Sequence, residues 1–448
     1  MIEWSEVGED REGLRIYRID AEATGVPGSG SGGIRVPNPL ELILSRFDTP
    51  TVRWLQDDFT GSGAAVGMSS FSVACHVISL PDVLVVVDST YRTTADQIFP
   101  SVLEEIAGHE GRKLSDRPTQ VIYTHAHFDH AGGHVAVEAL GDSVEILAHP
   151  FTAKLAPLVN ARESFLRNRA HFLRDSGIQA DLDELTDGIR AHFQELAEKA
   201  GVDLESSPWA SIDDGAPRID RAVKPGRRAV SIADGRIEIL EFAGHIPGHL
   251  CVRIDRRHFV TGDMWLPATT SLVTPGTTAE AAGIAPDECG VLRYLESSER
   301  LLDLDVDEDI AYPSHEIIYR NPKRMALRDI ELLTERIPLI EAVLEQHREE
   351  PMRVVDLAWG GRDLLPIWKV EGSVMRLVIA HDEAAAWVQD LVVVGDLREA
   401  EPERYIATGR RTLFSRIEDA LEQARESHGH LEFRSRGRSQ PVQGGTPA

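Results

Sequence analysis

The stretch THAHFDHAGG, residues 124–133, places four side chains able to hold a metal within six residues: His125, His127, Asp129 and His130. It overlaps the end of RPTQVIYTH (117–125), whose apolar, β-branched character predicts a buried strand. It precedes VAVEALG (135–141), which reads as a helix. His125 and His127 are two apart at a strand end. Alternate residues there point the same way, so both imidazoles can meet one ion. Asp129 and His130 follow in the turn that opens the helix and reach a second position nearby. Gly132 and Gly133 let the backbone turn tightly with no side chain in the way. Imidazole and carboxylate together suit Zn²⁺ best, with Fe or Mn as alternatives. A lone HxH pair is common on surfaces and in cores, whereas HxHxDH at a strand–helix junction is far more specific.

Outward from this motif, strands and helices alternate. FSVACHVISL (71–80) and VLVVVDS (83–89) predict a hairpin with a short loop. DQIFPSVLEEIAG (96–108) has helical spacing, and VEILAH (144–149) reads as a strand. Residues 151–205 break the series with two long amphipathic helices. Strands return as hairpins at 228–244, over the turn ADGR, and at 250–263. Such alternation predicts a layered α/β domain. Further on, Leu327, Ile330, Leu333, Ile337, Ile340 and Leu344 form one helical stripe, in which Pro338 is expected to kink the helix or divide it in two. A short helix at VVDLAWG, a helix at VMRLVIAHDEAAAWVQDLVVVG and a two-stranded wing within LREAEPERYIATG complete a winged-helix pattern.

The ligand-rich motif resembles the signature of the metallo-β-lactamase superfamily, and four further motifs resemble that family in the correct order. The hairpin ending in Asp88 resembles its opening strands. AGHIPGH (243–249) resembles its third-histidine motif, with His245 as the matching ligand. TGD (261–263) matches its bridging carboxylate, Asp263, and YPSHE (312–316) its final ligand, His315. The resemblance implies an αββα sandwich with a helical insert and a winged-helix-like C-terminal domain. It implies two metal sites: His125, His127 and His245 at one, Asp129, His130 and His315 at the other, with Asp263 between. Two zinc ions suit hydrolysis by a bridging hydroxide, in which Asp129 and Asp263 are the acidic residues of the catalytic centre. No GxSxG nucleophile elbow is present. VVVDST departs from the frequent Asp-Thr-Gly, and Ile246 from the common Thr, at positions that supply no ligand. His127 argues against the flavodiiron branch, which has Glu there.

Fold membership does not fix the substrate. The resemblance extends to a hydrolase group related to glyoxalase II, which implies a small ester, thioester or lactone as substrate. A phosphodiester cleaved on the same metals and a persulfide oxidised at a single iron are the alternatives. The insert is expected to wall the site, with Phe165, Phe172, Phe193 and Trp209 forming an apolar lid or packing the helices together. His134 and Glu316 are candidates for orienting ligands. His149 and Trp265 divide between pocket and core. His249 is expected to pack or hydrogen-bond beside the site.

The chain of 448 residues is 42% hydrophobic and 27% charged, with a net charge of −26. Its length suits two or three domains. The reading divides it into an N-terminal extension (1–65), a catalytic domain (66–325, insert 151–205), a C-terminal domain (326–425) and a disordered tail (426–448). A surface this acidic repels phosphate backbones and anionic membranes, so neither nucleic acid nor membrane is an expected partner. Within 373–412, five Arg face seven Asp or Glu, which lacks the footprint of a DNA-reading winged helix. In the resembled group this segment covers the active site or makes dimer contacts, so a homodimer is among the expected assemblies. Three scattered Cys without a CxxC, and no leader-like N-terminus, lead to an expectation of a cytoplasmic protein with buried free thiols.

Overall fold

A computed structural model describes residues 2–9, 13–22, 72–160, 181–200, 215–267, 271, 273–315, 318–360, 374–428 and 431. Two sheets face each other. The first runs in sequence order: β1 (Ile2–Glu9), β2 (Arg15–Glu22), β3 (Ser72–Ser79), β4 (Leu84–Val87), β5 (Thr119–Tyr123), β6 (Val144–Ala148) and β7 (Arg221–Ala222). Pairing is antiparallel from β1 to β4 and parallel from β4 to β7. The second sheet has the order β13–β12–β11–β10–β9–β8, from β8 (Val230–Ile232), β9 (Ile237–Glu241), β10 (Leu250–Ile254), β11 (His258–Gly262), β12 (Ile310–Pro313) and β13 (Tyr319–Arg320). The three hairpins expected at 71–89, 228–244 and 250–263 are all present.

Both faces of the central strands are buried, which is why they read as continuous apolar runs. In β4, Val85 and Val87 point inward and pack with Ile122, Ile239, Leu250, Val252 and Val260 between the sheets. Leu84 and Val86 point outward with Val121, Tyr123 and Ile146. There they meet α1 (Arg92–Gln97), α2 (Leu103–His109) and α3 (His134–Glu138) through Ala95, Leu103, Ile106 and Val137. Each such apolar side chain contributes roughly 1.5–3 kcal/mol on full burial. The helix expected at 96–108 is broken at Phe99, whose backbone is extended (φ −108°, ψ 113°) just before Pro100.

Residues 1–65 carry no sequence assignment beyond a flexible stretch, yet Ile2–Glu9 and Arg15–Glu22 supply the edge strand of the first sheet and its neighbour. Leu14 and Ile16 enter the inter-sheet core, while Tyr17 and Ile19 pack on the outer face. Of the insert, α4 (Pro150–Val159) and α5 (Leu182–Ala200) are helical. Phe193 lies on α5, and Phe165, Phe172 and Trp209 fall outside the described residues.

The outer face of the second sheet is covered by α7 (Val291–Leu302), preceded by the short α6 (Gly276–Ala281), and by a helical layer. That layer holds α8 (Pro322–Gln346), α9 (Val354–Gly360), α10 (Val374–Val393), the hairpin β14 (Leu397–Glu401)–β15 (Arg404–Ala407) and α11 (Thr412–His428). The stripe of α8 is buried from Leu327 to Ile340. Pro338 does not divide α8, which runs on to Gln346 as one helix. Helix α11 was not anticipated. Its start is fixed by Asp396, whose carboxylate accepts the Thr412 and Leu413 amides at 2.8 and 2.7 Å. The likeness to a winged helix rests on this element order alone. Among the described residues, no helix is long and apolar enough to cross a membrane.

Candidate metal centre

Parallel pairing of β4 with β5, and of β11 with β12, brings several strand ends to one edge of the sandwich. Asp88 follows β4, Thr124 and His125 follow β5, His245 follows β9, Asp263 follows β11 and His315 follows β12. Backbone bonds tie the sheets together there: Leu250 N donates to Thr124 O at 2.7 Å and Ala74 N to Ser314 O at 2.6 Å. The glycines of the motif are required by close approach. A Cβ on Gly132 would lie 1.9 Å from Phe128 O, and one on Gly133 would lie 2.3 Å from the Ala95 side chain.

The structure brings all seven candidate residues together, in two groups. His125, His127, His245 and Asp263 offer ligand atoms within 4.8 Å of one another, and so do Asp129, His130 and His315. In the first group, His127 Nδ1 lies 2.9 Å from His125 Nε2 and 3.1 Å from His245 Nε2. Asp263 Oδ2 faces this group, 3.9 Å from His125 Nε2 and 3.6 Å from His245 Nε2. Its other oxygen, Oδ1, faces the second group, 3.2 Å from His130 Nε2 and 3.4 Å from His315 Nε2. Asp129 Oδ2 closes that group, 3.3 Å from His315 Nε2 and 3.7 Å from His130 Nε2. A tetrahedral ion with bonds of about 2.0–2.1 Å spaces its ligand atoms by about 3.3 Å, so these separations fit. Asp263 Oδ1 and His130 Nε2 are buried with no polar neighbour outside the ligand groups, which marks an attachment point for a cation.

Further side chains hold these groups in place. The buried Asp88 accepts from Thr124 N at 2.7 Å and Thr124 Oγ1 at 2.9 Å, and meets His130 Nδ1 at 2.9 Å. It thereby turns His130 Nε2 toward Asp263. Sequence reading gave Asp88 no site role; its signal was a charge ending an otherwise apolar strand. His249 is not among the grouped side chains. It stacks on His125 with ring centroids 4.9 Å apart, and its Nε2 accepts from Asp263 N at 3.2 Å. His134 turns away to Ala131 O at 3.1 Å. Trp265 fills the core: it is fully buried, and its Nε1 donates to Ser298 Oγ at 3.1 Å. His149 accepts from Phe151 N at 3.2 Å and so caps α4. Glu316 lies outside the described residues.

Burial pushes His125 well below its ordinary pKa and His127 down to about 3, and neighbouring imidazoles add to the effect. Burial acts the same way on His130 and His315 but is outweighed by carboxylates. Asp263, Asp129 and Asp88 hold His130 well above the usual range, and Asp263 with Asp129 pushes His315 up to about 10. Near neutrality, therefore, the second group carries protons on the nitrogens that a metal would occupy. Metal uptake at pH 7 is expected to release about two protons per chain. Affinity then rises with pH toward 10 and falls in acid. Titration in weak buffer with an indicator dye checks this, and uptake without proton release contradicts it.

Comparison with known proteins gives a consistent picture. The family model described as the metallo-beta-lactamase superfamily matches residues 70–315, more than half of the chain. A metallo-beta-lactamase family protein from Thermus thermophilus superposes with a TM-score of 0.51 at 20% identity, over 77% of this chain and 95% of that one. A beta-lactamase domain protein from Burkholderia ambifaria gives 0.50 at 20% identity, over 77% and 90%. At this identity the likeness concerns the fold. No curated protein matches the chain.

Proposed function

This chain belongs to the metallo-beta-lactamase superfamily, whose members are mostly hydrolases, and from that premise we propose that it cleaves a small ester, thioester or lactone at a pair of zinc ions. One observation carries the reading: the two oxygens of Asp263 face two separate ligand groups. His125, His127 and His245 would hold one ion, Asp129, His130 and His315 the other, with Asp263 shared. Zinc pairs supply Lewis acidity to a scissile carbonyl and bring the pKa of water toward neutrality. The protein's part is to place the ligands and to fix their orientation. Asp88 holds His130, and the His249 imidazole holds the Asp263 backbone. Asp129 and His315 complete the second group, which supports two metals over a single iron. The strongly negative net charge supports a small-molecule substrate over a nucleic acid.

Elemental analysis of protein purified without chelator is expected to give about two metals per chain. Asp129→Ala should stay folded, lose one of them, and lower hydrolysis roughly 100-fold, about 3 kcal/mol. Unchanged hydrolysis in a metallated preparation refutes the two-metal reading. A screen of thioesters, lactones, aryl esters and phosphodiesters on zinc-loaded protein tests the substrate class; turnover of phosphodiesters alone overturns it.

A further inference from the structure

We propose that Gln389 and Asp390, neighbours on α10, are positioning residues for His245, so that the C-terminal helical layer sets the affinity of the first ligand group. The proposal rests on the metal reading above and on two hydrogen-bonded relays that meet at one loop.

The first relay passes through α6. Gln389 Oε1 accepts Gly276 N, the first amide of α6, at 2.5 Å. A Cβ on Gly276 would lie 1.9 Å from Gln389 Nε2, so the two are in close contact. Two residues earlier, Thr274 N donates to His245 O at 3.1 Å, and Thr274 Oγ1 donates to the same carbonyl. Helix α6 also packs into the motif loops. Its Ala279 shares a buried cluster with Ala126, between His125 and His127, and with Ile246, beside His245.

The second relay passes through α7. Asp390 Oδ2 accepts Leu292 N at 3.0 Å in the first turn of that helix. One turn on, Ser297 Oγ donates to Ala243 O at 2.6 Å. Gly244, at φ +130°, lies so close to α7 that a Cβ there would meet Tyr294 Cα at 2.5 Å. Loop 243–246 is thus gripped by α6 on one side and α7 on the other. The N-termini of both helices are held by consecutive side chains of α10, about 100 residues away in sequence. Neither Gln389 nor Asp390 belongs to the ligand groups. The hydrogen bonds of both relays end on the 243–246 loop, at Ala243 O and His245 O, so their influence falls on the first ligand group.

The test uses the full chain. Gln389→Met removes the acceptor at similar volume, Asp390→Ala removes the other, and Gln389→Glu restores an acceptor. Arg411→Ala, which breaks exposed ion pairs to Glu341 and Glu418 in the same layer, is the control. Hydrogen exchange is followed in metal-free protein, and zinc affinity by competition with a chromophoric chelator. Exchange at 243–249 and 273–276 is expected to quicken at least tenfold in Gln389→Met and Asp390→Ala. One of the two zinc affinities should weaken about tenfold, equivalent to about 1.4 kcal/mol, and the other should stay put. Gln389→Glu should behave as the parent. A lower melting temperature with unchanged exchange in these loops, or equal weakening of both zinc affinities, overturns the proposal. So does an equal effect of Arg411→Ala. Absence of zinc binding by the parent protein refutes the metal reading instead, and the exchange data still decide whether α10 positions the loop.

Discussion

Asp263→Ala is expected to remove both metals and to lower kcat/KM by roughly 1,000-fold or more, about 4 kcal/mol. The reason is geometric. Every other candidate ligand faces one group, whereas Asp263 turns Oδ2 to His125 and His245 and Oδ1 to His130 and His315. Removing it takes one anionic ligand from each position at once. It also leaves His130 and His315 without the carboxylate that does most to offset their burial. Asp129→Ala, by contrast, takes a ligand from the second group alone. The two variants should therefore differ in stoichiometry: near zero metal for Asp263→Ala and about one for Asp129→Ala. Elemental analysis on folded protein, with circular dichroism as the check on folding, separates them. Retention of a full equivalent in Asp263→Ala removes the shared-carboxylate reading.

Much of this centre was legible because its ligands lie at strand ends within short motifs. HxHxDH announces itself by density, and TGD by a charge ending an apolar run. A strand buried on both faces is equally plain, since its hydrophobic run has no polar interruption. Other features had no local signature. The two strands, IEWSEVGE and RIYRIDAE, mix polar and apolar positions without strict alternation, so no strand period stands out there. Nothing about α6 or α7 links them to α10 by sequence, because the contacts of Gln389 and Asp390 span about 100 residues. Pro338 signalled a break that tertiary packing overrides. The Ile337 and Ile340 side chains on either side of it are buried in the core, and that burial holds the helix together. Trp265 reads as pocket or core, and Ser298 and Tyr319 decide for core by bonding its Nε1 and its carbonyl.

The second large effect belongs to a residue that touches no metal. Asp88→Asn keeps size and shape, and Asn tolerates the backbone there, φ 67°. Its Oδ1 can still accept Thr124 N, as Asp88 Oδ1 does at 2.7 Å. What changes is the partner of His130 Nδ1, now 2.9 Å from Asp88 Oδ2. A carboxylate accepts a proton from Nδ1 and leaves the Nε2 lone pair free to bind an ion. An amide NH₂ in that place donates to Nδ1 and puts the imidazole proton on Nε2, the atom that faces Asp263 Oδ1 at 3.2 Å. The tautomer is then wrong for ligation although no ligand has been removed. Partners of this kind typically control 10–100-fold in metal affinity, and the loss should fall on the position shared by Asp129, His130 and His315. Zinc competition on Asp88→Asn should thus show one weakened affinity and one unchanged, the complement of the Gln389→Met pattern. Nitrogen-15 spectra of metal-free protein, recorded at a pH where His130 is neutral, should show its one proton on Nδ1 in the parent and on Nε2 in Asp88→Asn. If the affinity falls but the tautomer stays, Asp88 acts by charge rather than by orientation.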